Sequence, residues 1–437
     1  MAIEYDIKDI GLASSGERKI AWVRDHMPLL RALEKKYADA PLKEKPLNGV
    51  RLSLSIHMEA KTAYLCRVLT WAGAEVRAMG CNVLSTQDDV AAALVKGRTP
   101  AQGRRGQGGP AVQGVSVFAI HGESQKSYAK HTEMCLEHKP NIVIDDGGDL
   151  VSMLHTKRRD LAAEVWGGGE ETTTGVLRLK ALEAEKILLF PMLAVNNARC
   201  KHLFDNRYGT GQSVWDSILR NTNLIIASKT VVVAGYGWCG RGIAMRAAAL
   251  GASVIVTEID AVKAMEARMD GYQVMTMAEA APLGDIIITA TGCRDVVTLE
   301  HMKHMKDNVV LGNAGHFNVE IDVTTLAEKV KARYESRTNI ETFVLPNGKR
   351  INILAEGRLF NIAAADGHPA EIMDISFAVQ FYTALYVVKN HKKLEPRVYD
   401  VSDEIDDIVS KARLKAWGVR IDKLTPEQKA YLSSWDV

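Results

Sequence analysis

The sequence predicts an α/β protein of two Rossmann-like, doubly wound parallel-sheet domains with a short C-terminal helical tail. Three observations carry this expectation. From Val50 onward short apolar runs alternate with longer helical stretches, and the alternation restarts near Lys229. The restart opens on a strand that runs into Gly235-Tyr236-Gly237-Trp238-Cys239-Gly240. With 437 residues the chain is too long for one compact core, and its 47% of hydrophobic residues suffice to fill two or three.

The N-terminal segment reads as helix. Ile20, Val23, Met27 and Leu30 fall at helical spacing after Gly16, and Pro28 either kinks that helix or starts a second one. The first strand series is expected at residues 50–56, 75–79, 115–120, 141–144, 187–190 and 193–195. The second is expected at 229–234, 253–257, 285–289 and 308–311. Between them residues 97–114 hold six glycines, two prolines and three arginines (Arg98, Arg104, Arg105), a composition that cannot form a core and predicts a solvated, mobile insert.

Charge and cysteine content exclude several classes of function. Lys plus Arg total 55 against 53 Asp plus Glu, interspersed, so there is no basic field for nucleic acid or an anionic membrane. The six cysteines form no C-x-x-C pair, nothing near Met1 resembles a secretory signal, and no apolar run approaches the roughly 18 residues needed to span a bilayer. A small-molecule ligand, reduced thiols and a cytoplasmic location are expected.

Strand, G-x-G-x-x-G and a small-residue helix through Ala244, Ala247, Ala248 and Ala249 occur in the order a dinucleotide site requires. Gly235 suits the tight turn, Gly237 lets backbone approach a pyrophosphate, and Gly240 lets the helix pack on its strand; the helix N-terminus then offers free N–H groups. Glu258 closes the next strand about 20 residues on, where a carboxylate accepts both ribose hydroxyls and repels a 2′-phosphate. NAD is therefore the expected cofactor.

Polar clusters lie on both sides of this fold. They are Ser55-Ile56-His57-Met58, Ser85-Thr86-Gln87-Asp88, Ile144-Asp145-Asp146-Gly147-Gly148-Asp149, Glu170-Glu171-Thr172-Thr173-Thr174-Gly175, Lys201 with Phe204-Asp205-Asn206, Asn313-Ala314-Gly315-His316-Phe317, and Leu354-Ala355-Glu356-Gly357-Arg358-Leu359 leading to Gly367-His368-Pro369. In these residues, from about Ile20 to the C-terminus apart from the glycine-rich insert, the chain resembles the S-adenosyl-L-homocysteine hydrolase family.

The resemblance implies a reaction in which bound NAD oxidises a ribose 3′-hydroxyl, the ketone acidifies the 4′-hydrogen, homocysteine leaves C5′, water adds, and the hydroxyl is restored. Lys201 would take or polarise the hydroxyl proton if burial lowers its pKa, Asp205 would orient it, Asn206 would serve the nicotinamide side, and Glu171 would hold the ribose diol. Asp146 matches the family's base for the 4′-hydrogen, and His57 and His316 match the histidines near C5′. The His316-Phe317 pair matches the family's substrate gate. Further substrate contacts implied are Glu59, Lys61, Thr62, Gln87, His368, Met373 and Phe377. The implied NAD contacts are Thr172, Thr173, Thr174, Asn206, Gly235, Gly237, Trp238, Cys239, Gly240, Arg241, Gly242, Glu258, Lys263, Ala314, Gly315, His316, Asn361 and His368.

By residue type alone plainer readings stay open. His57 at a strand end also fits a hydrogen-bonded core histidine, Asp145, Asp146 and Asp149 suit turns and helix caps, and the threonine run suits a helix start. His301 and His304 share helical spacing but no carboxylate or cysteine set completes a site, so no metal centre is expected.

The sequence departs from the commoner family pattern at Glu59-Ala60-Lys61, where the base pocket usually has threonine and then glutamate or glutamine. It departs again at Thr210 (usually cysteine), Lys263 (asparagine) and Asp366 (methionine). These departures resemble the shorter archaeal and thermophile-type branch. Lys61 is a pure donor and Glu59 an acceptor, which would meet O6 and N1–H of hypoxanthine, so an S-inosyl-L-homocysteine substrate is the alternative. Equally open is the plainer reading that the two pair with each other or face solvent, and Glu59 can also accept from an adenine amine. The expected domains are 1–205 for substrate, 206–367 for NAD, 368–400 returning to the first, and 401–437 as an oligomerisation tail of the family's usual homotetramer. Many members of the family carry a tail extension whose lysine and tyrosine reach a neighbour's NAD, and with Ser433-Ser434-Trp435-Asp436-Val437 at its end this chain is expected to lack that contact. A 2-hydroxy acid dehydrogenase and a non-catalytic nucleoside sensor remain as rivals.

Overall fold

The computed structural model describes residues 3–99 and 110–436. Residues 100–109 of the glycine-rich insert lie outside it.

Two eight-stranded sheets form the frame. The first contains β1 (Tyr5–Ile7), β2 (Arg51–Ser55), β3 (Glu75–Met79), β4 (Ser116–Ala119), β5 (Ile142–Asp145), β6 (Gly167–Glu170) and β7 (Met192–Ala194). The second contains β8 (Thr230–Ala234), β9 (Ser253–Thr257), β10 (Gln273–Val274), β11 (Ile286–Thr289), β12 (Val309–Asn313), β13 (Ala332–Arg337), β14 (Ile340–Val344) and β15 (Arg350–Leu354). The chain then returns as β16 (Val398–Asp400) beside β7.

The spatial orders are β1-β4-β3-β2-β5-β6-β7-β16 and β10-β9-β8-β11-β12-β15-β14-β13. All pairs are parallel except β13–β14 and β14–β15. Strand order reverses between β2 and β5 in one sheet and between β8 and β11 in the other, the places where carboxyl-end loops diverge and leave a crevice. Ser55 and Asp145 are register partners across the first reversal, so the loops bearing His57 and Asp146 leave side by side.

Several sequence expectations change here. Pro28 starts the second helix, Pro28–Tyr37, because its missing N–H costs nothing at the first turn. Residues 187–190 form no strand: Leu188 and Phe190 plug the core as a connector behind Lys186 at φ 60°. The strand that fills that place, β6, was hidden because three of its four residues are glycine. The second sheet is not wholly parallel, since β13 to β15 return as an antiparallel meander.

The ends of the insert belong to the fold. Arg98 pairs with Val112 as an antiparallel bridge and reaches Glu17 at 3.3 Å, and Trp71 Nε1 donates to the Ala111 carbonyl. Arg98 is therefore not a solvated loop residue. The expected tail is also divided: helix Asp403–Ala416 sets Ile405 and Val409 into the first core, and Asp406 accepts from the Arg199 and Cys200 amides. Helix Pro426–Ser433 beyond it is exposed. Helix Ala370–Asn390 is, with the turn after it, long and apolar enough to cross a membrane by composition, although polar residues interrupt its apolar run. Here it lies within the first domain, and Asp374, Ser376 and Gln380 on it are buried and hydrogen-bonded.

Candidate active site

A cavity of about 1120 Å³ lies between the carboxyl ends of the two sheets. Residues from both cores line it, because each switch-point crevice opens toward the other domain.

On the second domain, Gly235 holds φ +95° and a Cβ at Gly237 would meet open space, which leaves the backbone accessible to a pyrophosphate. Glu258 accepts from the Tyr236 amide at 2.6 Å and from Ile259 and Asp260, which ties the loop after β8 to the loop after β9. Gly240 and Gly242 do not line the cavity. A Cβ at Gly240 would lie 1.9 Å from the Gly235 carbonyl, and at Gly242 1.8 Å from that of Arg207, so both are packing positions. Lys263 and Asn361 reach the cavity wall; Asn361 Nδ2 donates to Ser213 while its Oδ1 has no partner among the described residues. With Thr172 to Thr174, Trp238, Cys239, Arg241, Ala314 and Gly315 also on the wall, the lining fits NAD.

Thr172 serves as helix cap, accepting from the Gly175 amide, and lines the cavity as well, so both readings of the threonine run hold. Asp145 accepts from the Asp146 and Val151 amides and Asp149 from Tyr128, while Asp146 alone of the three faces the cavity.

The centre is a buried charge cluster. The chain from Arg199 to Thr222 passes through a π-helical stretch at His202–Gly209, which rotates Asp205 and Asn206 inward beside Lys201. Lys201 Nζ donates to Asn206 Oδ1 at 2.7 Å and lies 3.4 Å from Asp205 Oδ1 and 3.6 Å from Glu171 Oε1. Burial works against the ammonium, but Asp205 and Glu171 outweigh it and hold the pKa above the usual lysine range. The expectation that burial lowers it is thus corrected: two carboxylates keep Lys201 charged. Burial pushes Glu171 up to about 7 against the pull of Lys201. Asp205 is held below the carboxylate range: burial opposes this, and Lys201 and His368, 2.9 Å away, prevail.

Across the cavity Asp146 sits between two imidazoles, 3.5 Å from His57 Nε2 and 3.7 Å from His316 Nδ1. His57 Nδ1 is 2.8 Å from Ser85 Oγ, which itself donates to the Asn82 carbonyl, so His57 presents an unprotonated Nε2. Burial pushes its pKa down to about 4. Cys81 Sγ donates to Asp146 Oδ2 at 3.4 Å; the ligand atoms of His57, Cys81 and Asp146 gather within 4.8 Å. His316 crosses from the second domain over Gly147, where a Cβ would stand 2.2 Å from its Nε2. Phe317 packs edge-on against His316 and under Arg178, whose Cζ is 5.4 Å from the ring centre.

At the far end Glu59 caps helix Ala60–Trp71 and pairs with Lys61 at 2.9 Å, and Lys61 also donates to the Asp366 carbonyl at 2.9 Å. The pair therefore satisfies itself in part while lining the cavity with Thr62, His368, Met373 and Phe377. Gln87 does not join them: it precedes helix Asp88–Lys96 and accepts from Lys19 at 3.0 Å.

The sequence reading missed Asn196, whose Oδ1 accepts from Asn206 at 3.0 Å and Thr173 at 3.2 Å, and also Ser376 and Gln380. Asn196 follows β7, and the rule that site loops leave the carboxyl ends of strands would have found it. Ser376 and Gln380 follow Met373 by three and seven positions, one face of one helix.

Fold and site together define a nicotinamide-dependent enzyme, with a dinucleotide cradle on one domain facing acid–base groups on the other. A sequence model of S-adenosyl-L-homocysteine hydrolase matches residues 4–164, and that of its NAD-binding domain matches residues 206–367. Over 432 residues the chain is 51% identical to the adenosylhomocysteinase of Pyrococcus abyssi, a match covering 99% of this chain and 98% of that one. It is 50% identical over 435 residues to the adenosylhomocysteinase of Aquifex aeolicus, covering 100% of both, and 52% identical over 431 residues to the S-inosyl-L-homocysteine hydrolase of Methanocaldococcus jannaschii, covering 99% of both. The chain belongs to the S-adenosyl-L-homocysteine hydrolase family and carries its NAD-binding domain.

Proposed function

We propose that this chain catalyses reversible hydrolysis of S-adenosyl-L-homocysteine to adenosine and homocysteine. The observation that supports it most is the pairing, in one cavity, of Glu171-Lys201-Asp205 with Asp146 between His57 and His316. NAD, when bound, supplies the oxidation of the ribose 3′-position and its later reversal. Lys201, held charged, polarises the 3′-hydroxyl, and Glu171, raised toward neutrality, holds the diol and is poised to take its proton. Asp146 is the base for the 4′-hydrogen, and the unprotonated His57 Nε2 beside it receives that proton for the departing sulfur. His316, with Phe317, covers the same point from the second domain.

Hydrolysis of the S-inosyl substrate is the second reading. Lys61 on the cavity wall favours it, because one ammonium N–H beyond its bonds to Glu59 and Asp366 remains for a purine O6 acceptor. A cytoplasmic homotetramer working in the methyl cycle completes the proposal; four buried free thiols support the location and the exposed apolar residues of the last helix support the assembly. Incubating purified protein with S-adenosyl-L-homocysteine and a thiol reagent tests the reaction. Homocysteine release without net nicotinamide reduction is expected. Accumulating free NADH would point to a dehydrogenase, and binding without turnover to a sensor.

A further inference from the structure

Helix Ala370–Asn390 touches both carboxylates that flank Lys201. Ser376 Oγ donates to Asp205 Oδ2 at 2.6 Å, and Gln380 Nε2 donates to Glu171 Oε2 at 2.6 Å. In each carboxylate the other oxygen faces Lys201. The helix lies this close because Gly167 and Gly169 of β6 have no side chains to hold it off. A Cβ at Gly169 would stand 2.6 Å from Gln380 Oε1, and one at Gly167 would stand 3.2 Å from Val387 Cγ1 on the same helix. Gln380 is wholly buried; among the described residues its Nε2 has Glu171 as its one hydrogen-bond partner and its Oε1 has none. Reversing the amide would set its oxygen against the carboxylate, which fixes the donor toward Glu171.

Resting on the function proposed above, we infer that Gln380 is a positioning residue for the reaction: seated in the space left by Gly169, its amide fixes the orientation and charge of the Glu171 carboxylate. The charged groups facing Glu171 are Lys201 and Asp205 from the helical segment and Asp146 from the loop after β5; the long helix contributes only the neutral amide. A donor to the ionised form favours that form, so its loss makes Glu171 harder to ionise.

The test is an infrared titration of the holoenzyme, in which the carboxylic-acid band lost in Glu171→Gln identifies Glu171. In Gln380→Met, which keeps volume but not the donor, the midpoint of that band is expected to rise by about one pH unit. The acid limb of kcat/KM should rise with it. Gly169→Ala, which displaces the amide from the other side, should move the midpoint in the same direction. If Gln380→Met does not fold, Gly169→Ala decides alone. An unmoved midpoint in a folded variant overturns the inference. Should the wild type not release homocysteine, the functional reading fails, while the infrared titration still reports on Gln380.

Discussion

The Nε2 atom of His57 lies 3.5 Å from Oδ2 of Asp146, with both side chains buried. Burial holds the imidazole neutral, so a lone pair faces a carboxylate and any proton arriving between them is shared at once. Asp146→Asn removes the acceptor but keeps the Lys201 and Glu171 side chains that serve the oxidation. The variant should still oxidise the ribose and then stall, with turnover down on the order of 10²–10⁴-fold. Nicotinamide absorbance after mixing with substrate is the measurement: reduced cofactor should persist on the protein. Normal turnover would assign the base elsewhere.

Lys201 is kept charged by Asp205 and Glu171, so its task is to polarise rather than to deprotonate. Lys201→Gln keeps a donor and loses the charge. It should retain NAD through a dialysis that also leaves wild type loaded, yet show no reduced cofactor on mixing, with kcat at least about 10²-fold lower. Reduction at the wild-type rate would mean that the charge is dispensable.

Strands β3 and β9 match residues 75–79 and 253–257 as read from the sequence because apolar runs bounded by turns are local signals. β6 could not be read this way. Glycine is depleted in strands, and these three are explained by packing: Gly169 makes room for Gln380 of helix Ala370–Asn390, some 200 residues later in the chain, Gly167 for Pro191 and Val387, and Gly168 for Val143 and Met192 of the neighbouring strands. The site shows the same division. The loops carrying His57, Asp146, Glu171 and Lys201 were legible as clusters, whereas the charge of Lys201 depends on two carboxylates brought together only by the fold. The placement of Gln87 failed for the opposite reason: its cluster is real, but a bond to Lys19 holds that side chain away from the cavity.

Gly147 should be intolerant of any side chain. Its φ is +104°, and a Cβ would stand 2.2 Å from His316 Nε2, so Gly147→Ala both strains the turn and pushes the second domain's histidine off Asp146. A loss in kcat/KM of at least about 10-fold is expected in a folded protein. In a His316→Ala background the same change should cost less, because the clash is gone and only the strain of the turn remains. Equal costs in both backgrounds would show that the two residues do not interact.

Lys61→Gln addresses the base pocket. A glutamine can accept as well as donate, so the variant should shift the ratio of kcat/KM toward the adenosyl substrate by about 10-fold or more if Lys61 meets the purine. The comparison needs both the adenosyl and inosyl thioethers before and after substitution. An adenosyl preference left unchanged would mean that Lys61 serves only Glu59 and the Asp366 carbonyl, where the structure already shows it bonded.

His131 offers a test of stability rather than catalysis. It is fully buried, with Nδ1 2.8 Å from Glu123 Oε2 and Nε2 3.3 Å from Asp6 Oδ2 on the edge strand β1. Burial works against the imidazolium, but the two carboxylates outweigh it and raise the pKa above the ordinary 6.5. A histidine whose folded pKa is raised contributes stability that is complete below the unfolded value and is lost as pH climbs through the folded one. Asp6 is shifted the other way, below its ordinary 3.8, so its own contribution does not change between about pH 6 and pH 9. The neutral isostere His131→Gln should therefore cost more stability at about pH 6 than at about pH 9, by roughly 1 kcal/mol for each unit by which the histidine is raised. Urea unfolding of wild type and variant at the two pH values gives the difference directly. The same loss at both would mean that His131 is neutral between its carboxylates and that one of them carries the proton instead.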